Sequence, residues 1–283
     1  MSRNLSPQSP MRPLGIGNVV SAGMRLYTSH LKSYLGLSLK AVLWSLIPIY
    51  GWAKACMISA QIARLAFSEL VEQPESVKTA EDRVSSRMWS FLGLQILVSI
   101  ILFATNFGLS IVGSFITAIP ALLLRNSSQD SGGLALLALI RLVVNLAIFA
   151  AYIWVYSRVM IPELPLAIES NVDVGTSISR SWDLTKGSVL RIQGVVLVAS
   201  LITLPIFVLV LIPIMLFFPI IATSSSPDTV GGAIVLFILS ILIVSLLIGL
   251  LTMPFWQAIK AVIYYDLRSR REGLGLQLRD RSI

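Results

Sequence analysis

The chain has 283 residues, 55% of them hydrophobic and 13% charged, with a mean hydropathy of +0.83 and a formal net charge of +8. A soluble domain carries about 25% charged residues, so this composition excludes an ordinary water-soluble globule and leaves no room for a large domain outside a membrane. The basic residues flank apolar segments, where membrane topology and anionic lipid headgroups account for them and nucleic acid is not an expected partner.

Residues 1–16 are rich in Ser and Pro, carry Arg3 and Arg12, and lack the apolar core of a signal peptide. They read as a flexible cytoplasmic tail. Residues 17–34 follow, with Val20, Met24, Tyr27 and Leu31 on one helical face. Six candidate spans come next: 33–49, 52–70, and then one each within 89–124, 133–161, 189–221 and 231–265. Three of the last four rest on charge-free runs at 88–124, 192–227 and 229–259, and all four are longer than the ~20 residues that cross a bilayer. They must tilt, kink or extend beyond it, and Pro205, Pro213 and Pro254 offer kink points, with Pro120 near one end. Lys54, Gln61 and Arg64 interrupt the second span, so an interfacial helix is its alternative. The turn signal at 48–51 favours a hairpin between spans one and two.

Lysine and arginine test this count. The N-terminal stretch 1–32, 68–87, 162–188 and the C-terminal tail together hold fourteen of them, whereas the alternate gaps hold only Arg125. Basic residues collect on the cytoplasmic side, so the number of spans is even and both termini are cytoplasmic. The expected fold is an all-α, polytopic transmembrane helical bundle of about six spans. Its parts are a tail at 1–16, a six-span membrane domain at 17–265 and a basic cytoplasmic tail at 266–283.

Two segments echo one another: GNVVSAGMRLYTSHLKSY (17–34) and GTSISRSWDLTKGSVLRI (175–192). Both read as short interfacial elbow helices, placed before spans one and five. A fainter echo links PIYGWAKA (48–55) with PFWQAIKA (254–261), although six spans would put Lys54 near the outer face and Lys260 near the inner.

The run RVMIPELPLAIESNVDVGTSISRSWDLTKGSVLRI (158–192) resembles uncharacterised multi-pass bacterial membrane proteins. These are related to the membrane domain found beside some glycerophosphodiester phosphodiesterases and to similar six-helix domains. PFWQAIKAVIYYDLRSRREG (254–273) resembles the end of such domains. The resemblance implies six helices, cytoplasmic termini and the bacterial cytoplasmic (inner) membrane. It implies no catalysis, because in that family the chemistry belongs to a separate soluble barrel.

The residues point the same way. Cys56 and His30 are the only cysteine and histidine, which rules out an internal disulfide and a Cys/His metal cluster, and no phosphate loop or GxSxG is present. No catalytic, cofactor or metal residue is therefore expected. Carboxylates are absent from the apolar spans, which argues against ion coupling. Among basic residues within spans, Lys54, Arg64 and Lys260 lie close enough to span ends to snorkel to headgroups. Lys40 and Arg141 lie deeper. With Asn106 and Asn145 they form a candidate contact set for an anionic lipid or ligand, the alternative being interhelical hydrogen bonds. Glu163, Glu169, Asp173 and Asp183 read as solvated partners of Arg180 and Lys186. Ser110/Ser114 and Ala147/Ala151 permit close helix packing, and Asn126-Ser127-Ser128 matches a glycosylation sequon on the outer side. The expected function is a non-enzymatic membrane scaffold or assembly module that contacts membrane lipids, other membrane proteins or a second copy of itself. A carrier or permease-like component for an anionic or lipidic substrate is the alternative.

Overall fold

The computed structural model describes residues 15–123, 131–224 and 226–273. Arg125, the sequon, most of both expected tails and Ser225 lie outside the described residues. All described secondary structure is helical.

Helix α1 (Ile16–Ser29) is amphipathic and buries Val19, Val20 and Gly23. It ends at His30, and α2 (Leu31–Ser45) begins at once. Pro48 closes α2 off from α3 (Tyr50–Leu70). In that turn Ile49 takes φ +62°, and a Cβ at Gly51 would collide with the Trp44 carbonyl oxygen. A four-residue reversal this tight requires a residue without a side chain there. Short α4 (Val77–Ser85) is capped by Ser76, whose hydroxyl accepts from the Thr79 amide, and turns Ala80 and Val84 inward.

The next elements are α5 (Met88–Leu123), α6 (Ser131–Arg158), α7 (Glu163–Ile168) and α8 (Val174–Thr185). Asp173 opens α8 with a capping box. Hydrogen bonds from the Thr176 hydroxyl and amide hold the Asp173 carboxyl below its ordinary range. Helix α9 (Val189–Phe207) contains Pro205 and gives way to a 3-10 turn (Val208–Val210) before α10 (Leu211–Thr223). Last is α11 (Pro227–Glu272), 46 residues long, which ends at Gly273 with φ +63°. It carries Asp266 and Leu267 into the core, so helix continues well past residue 265.

Four stretches are long and apolar enough to cross a membrane: Met88–Leu123, Gly132–Ile168, Val189–Thr223 and Pro227–Glu272. Six crossings were expected, and α2 and α3 are not among these four. Helix α2, at 15 residues, is about 22 Å long against a hydrocarbon core of about 30 Å. Helix α3 is long enough but carries Lys54, Arg64 and Glu69 and is enclosed by protein on most sides, with everything from Ala60 to Ser68 buried.

The molecule divides along its length into a base and four arms. In the base, α3 packs against α2, α11, α5, α4 and α7, and α1 lies on α11 and α9. In the arms, α5 pairs with α6 and α10 with α11, while their apolar side chains stay largely exposed: Phe103, Phe115, Leu146, Leu204 and Met215 are examples. Gly113 sets the first pairing, because its missing Cβ leaves room for Ile148 and Val144. Ser110, Ser114 and Ala147, expected at helix contacts, face outward instead.

The α2–α3 hairpin reaches only the foot of the arms. Ser59 bonds Gln257, and the Phe67 ring meets Tyr264 at 5.4 Å, so α3 runs parallel to the lower part of α11. By that register the hairpin tip lies level with about residue 248. Helix α11 begins some twenty residues earlier, about 30 Å farther along. Every tryptophan and tyrosine belongs to the base or to the arm segments entering it. Trp44, Tyr50 and Trp89 form one ring cluster, and Trp154 and Trp182 another.

Pro254 lies inside α11 without ending it. Having no N–H, it leaves the Leu250 carbonyl without its helical donor. The Ser38 hydroxyl of α2 donates to that carbonyl at 2.9 Å and is itself wholly buried. Tyr27 of α1 reaches the next carbonyl, Leu251, at 3.3 Å. Ser38→Ala should lower stability by about 1–3 kcal/mol, the cost of a buried unsatisfied polar group. In a Pro254→Ala background, where the helix supplies the donor, the same change should cost much less. A double-mutant cycle by thermal unfolding in detergent checks this, and equal costs in both backgrounds would refute it.

Candidate functional site

The charged residues of the gaps between the apolar segments converge on the base. Arg64, on the fourth turn of α3, forks onto Glu75 through Nε and Nη2 at 2.7 and 2.6 Å and donates through Nη1 to the Ala167 carbonyl. Arg87, just before α5, donates to the carbonyls of Leu166, Glu169 and Val172. These two arginines satisfy the carbonyls that end α7 and the segment after it, a placement that also suits the negative end of a helix. Glu169 accepts from the Tyr264 hydroxyl at 2.7 Å and from Arg180 at 3.3 Å. Asp266 holds Arg191 at 2.9 Å and Arg270 at 3.0 Å. The Arg158 guanidinium lies over the rings of Trp154 and Trp182, at 5.0 and 5.3 Å, and donates to the Trp182 carbonyl. His30 sits 3.4 Å from Glu69.

These contacts correct two expectations. Arg64 and Lys260 do not reach away from the protein: Arg64 holds Glu75, and Lys260 Nζ lies 2.7 Å from Glu163 Oε1. Glu163 is not a solvated partner of its own gap but ties it to α11 through Lys260, whereas Glu169 keeps its expected partner Arg180 and also reaches α11 through Tyr264. A chain with few charges gains more from closing these pairs at the edge of a low-dielectric region than from leaving them in water.

Two adjoining cavities open beside the Lys260–Glu163 pair. The first, of about 370 Å³, is walled by Ala55, Cys56 and Ser59 of α3, which share a face at i, i+1 and i+4, and by a stripe of α5 from Phe91 to Leu102. The end of α6 and the turn after it complete it with Tyr156, Met160 and Glu163, and Lys260 comes from α11. Lys260 and Glu163 keep 20% and 16% of their side-chain surface open. Behind Ser59, buried Gln257 donates to the serine hydroxyl, and its own Oε1 has no partner. The second cavity, of about 460 Å³, shares Cys56 and Gln95 with the first and runs on between Trp52, Ile96, Ile100 and Phe103. Side by side between α3 and α5 they make a recess whose first part carries the polar groups and whose second is nearly all apolar.

The four residues singled out from sequence do not gather here. Lys40, Asn106, Arg141 and Asn145 are all exposed, and none lines either cavity. Asn145 donates to the Arg141 carbonyl on its own helix at 2.7 Å. With Gly113 opposite Val144 and Ile148, Asn106 and Arg141 stand about twelve residues apart along the α5–α6 pair, roughly 18 Å. Lys40 belongs to α2, in the base. Sequence reasoning missed Glu163 with Lys260 because 97 residues separate them. The usable signal was the lysine itself, a charge inside an otherwise apolar segment.

Against known families, curated proteins and solved structures, the chain has no match.

Arg64→Lys should lower stability by about 3 kcal/mol, close to the loss from Arg64→Ala. A lysine cannot make the two-pronged contact to Glu75 and also reach the Ala167 carbonyl. Unfolding midpoints of both variants in detergent check this, and a Lys variant matching the parent would refute it.

Proposed function

We infer that this is a non-enzymatic integral membrane protein of the bacterial inner membrane, a lipid-binding scaffold or assembly module with both termini in the cytoplasm. The observation that carries the reading is the division of the molecule into a base closed by ion pairs and aromatic rings and four arms whose apolar surface is bare. Exposed apolar surface on this scale needs lipid or partner helices to cover it. Outward Ser110, Ser114 and Ala147 suit close approach by a partner helix or a second copy. The resemblance to phosphodiesterase-associated membrane domains agrees with a module that has no chemistry of its own.

We further propose four crossings, with the α2–α3 hairpin entering and leaving by the cytoplasmic face. Trp44, Tyr50, Trp52 and Trp89 would then lie at headgroup depth, where such side chains concentrate. The exposed Leu43, Leu46 and Ile47 would dip into the inner leaflet. A hairpin of this kind adds no crossing, so the lysine and arginine bias suits four crossings as well as six. Amphipathic α1 and α8 would act as the elbow helices beside it. A carrier remains the second reading, favoured by the 3-10 break between Pro205 and Pro213, since interrupted helices serve moving parts in transporters.

Two measurements test these readings. Tyr50→Cys in a Cys56→Ala background should resist a membrane-impermeant maleimide in intact cells and react once the inner face is opened; labelling from outside would restore six crossings. Purified protein should retain lipid through detergent washing, and in vesicles it should leave the transbilayer movement of a fluorescent phospholipid unchanged. Loss of all lipid would refute the lipid-binding reading, and accelerated movement would favour the carrier.

A further inference from the structure

Resting on the lipid-binding reading above, we propose that the recess between α3 and α5 holds one zwitterionic phospholipid. Its headgroup sits against the Lys260–Glu163 pair, and one acyl chain lies along Ile96, Ile100 and Phe103.

The shape of the recess is that of an amphiphile. Cys56 and Gln95 line both cavities, so a molecule whose headgroup fills the first and whose chain lies in the second would pass these two side chains. The inner part presents Ser59, Gln95, Glu163 and Lys260; the outer part presents hydrocarbon almost alone. From Leu92 to Phe103 the groove follows α5 for about 16 Å, which accommodates much of an acyl chain. Its outer side chains are turned away from protein: Ile100 is 57% and Phe103 71% exposed. In the membrane reading that surface meets lipid tails, so a lipid enters sideways without leaving the bilayer.

Charge selects the headgroup. The inner end holds one cation and one carboxylate in contact, so it has no net charge. A plain anion would be drawn to Lys260 but opposed by Glu163 less than 3 Å away; a plain cation would meet the reverse. A headgroup carrying both charges satisfies both. Its phosphate takes donors from Lys260, whose ammonium has three N–H groups and spends one on Glu163, and from the Gln95 amide. Its ammonium donates to the Glu163 carboxylate. This selection differs from the anionic contact set expected at Lys40 and Arg141, because those residues have no carboxylate beside them.

The test uses the full-length protein reconstituted in vesicles of equal phosphatidylethanolamine and phosphatidylglycerol, extracted in mild detergent and weighed by native mass spectrometry. The parent should retain one phosphatidylethanolamine per chain, at least tenfold over phosphatidylglycerol. Glu163→Gln leaves the lysine unopposed and should swing the ratio toward phosphatidylglycerol by tenfold or more. Lys260→Gln should lose the retained lipid. Ser99→Trp fills the outer groove from an exposed position and should reduce retention at least fivefold with the unfolding midpoint unchanged, so the proposal stays testable if the paired variants fail to fold. Equal retention of both lipids by the parent, or retention indifferent to Ser99→Trp, overturns the zwitterionic site while leaving lipid binding intact. Retention of no lipid at all removes both.

Discussion

A proline in the middle of the longest helix sets the conditions for everything around it. Pro254 cannot donate, so the Leu250 carbonyl needs a donor from elsewhere in a place where water is scarce. Ser38 supplies it, and in doing so pins α2 to α11. The turn at Gly51 then returns the chain as α3, parallel to the lower part of α11 and deep inside the base. From that position α3 offers Arg64 to Glu75 and α7, and Ala55, Cys56 and Ser59 to the recess. Removing the Ser38 contact would loosen the hairpin, and the hairpin forms one wall of the candidate site.

The charges follow a related constraint. A chain with four long apolar stretches able to cross a membrane has one end at which to concentrate its ionic groups, and there they are too crowded to remain independent. Exposed pairs are worth 0–1 kcal/mol each, whereas a half-buried pair that loses one member leaves a charge several kcal/mol worse off. Arg64 with Glu75, Lys260 with Glu163 and Arg191 with Asp266 are of the second kind, each with at least one member less than a quarter exposed. They join segments far apart in sequence, so the polar gaps act as part of the folded base. Among these pairs only Lys260 with Glu163 also lines a described cavity, which is why the same contact serves stability and recognition.

Much of the architecture was legible in the residues. The charge-free runs marked three of the four arms, and the periodicity of 17–34 and 175–192 located α1 and α8. Residues 48–51 marked the hairpin turn. Depth was not legible. Residues 33–49 are apolar enough to suggest a span, yet α2 stops at Ser45 and packs on a helix whose first twenty residues run past it. The echo between 48–55 and 254–261 has a counterpart in the fold, since α3 and the lower part of α11 run side by side in the same direction. The candidate set of Lys40, Asn106, Arg141 and Asn145 came from hydrophobic context alone. Such context reports that a polar residue is unusual without reporting what stands opposite it.

By itself the sequence determined the class, the helical content, the gaps in which charge accumulates and the position of the α2–α3 reversal. These depend on local properties: length of apolar run, helical period, and the chemistry of proline and glycine. Tertiary structure alone decided that Arg64 and Lys260 are partnered and that the Leu250 carbonyl is answered by Ser38. It also decided that a recess opens between α3 and α5. Each of these joins residues across separate helices, and the free energy of a charge or a carbonyl depends on the partner and the dielectric around it, which no stretch of sequence contains.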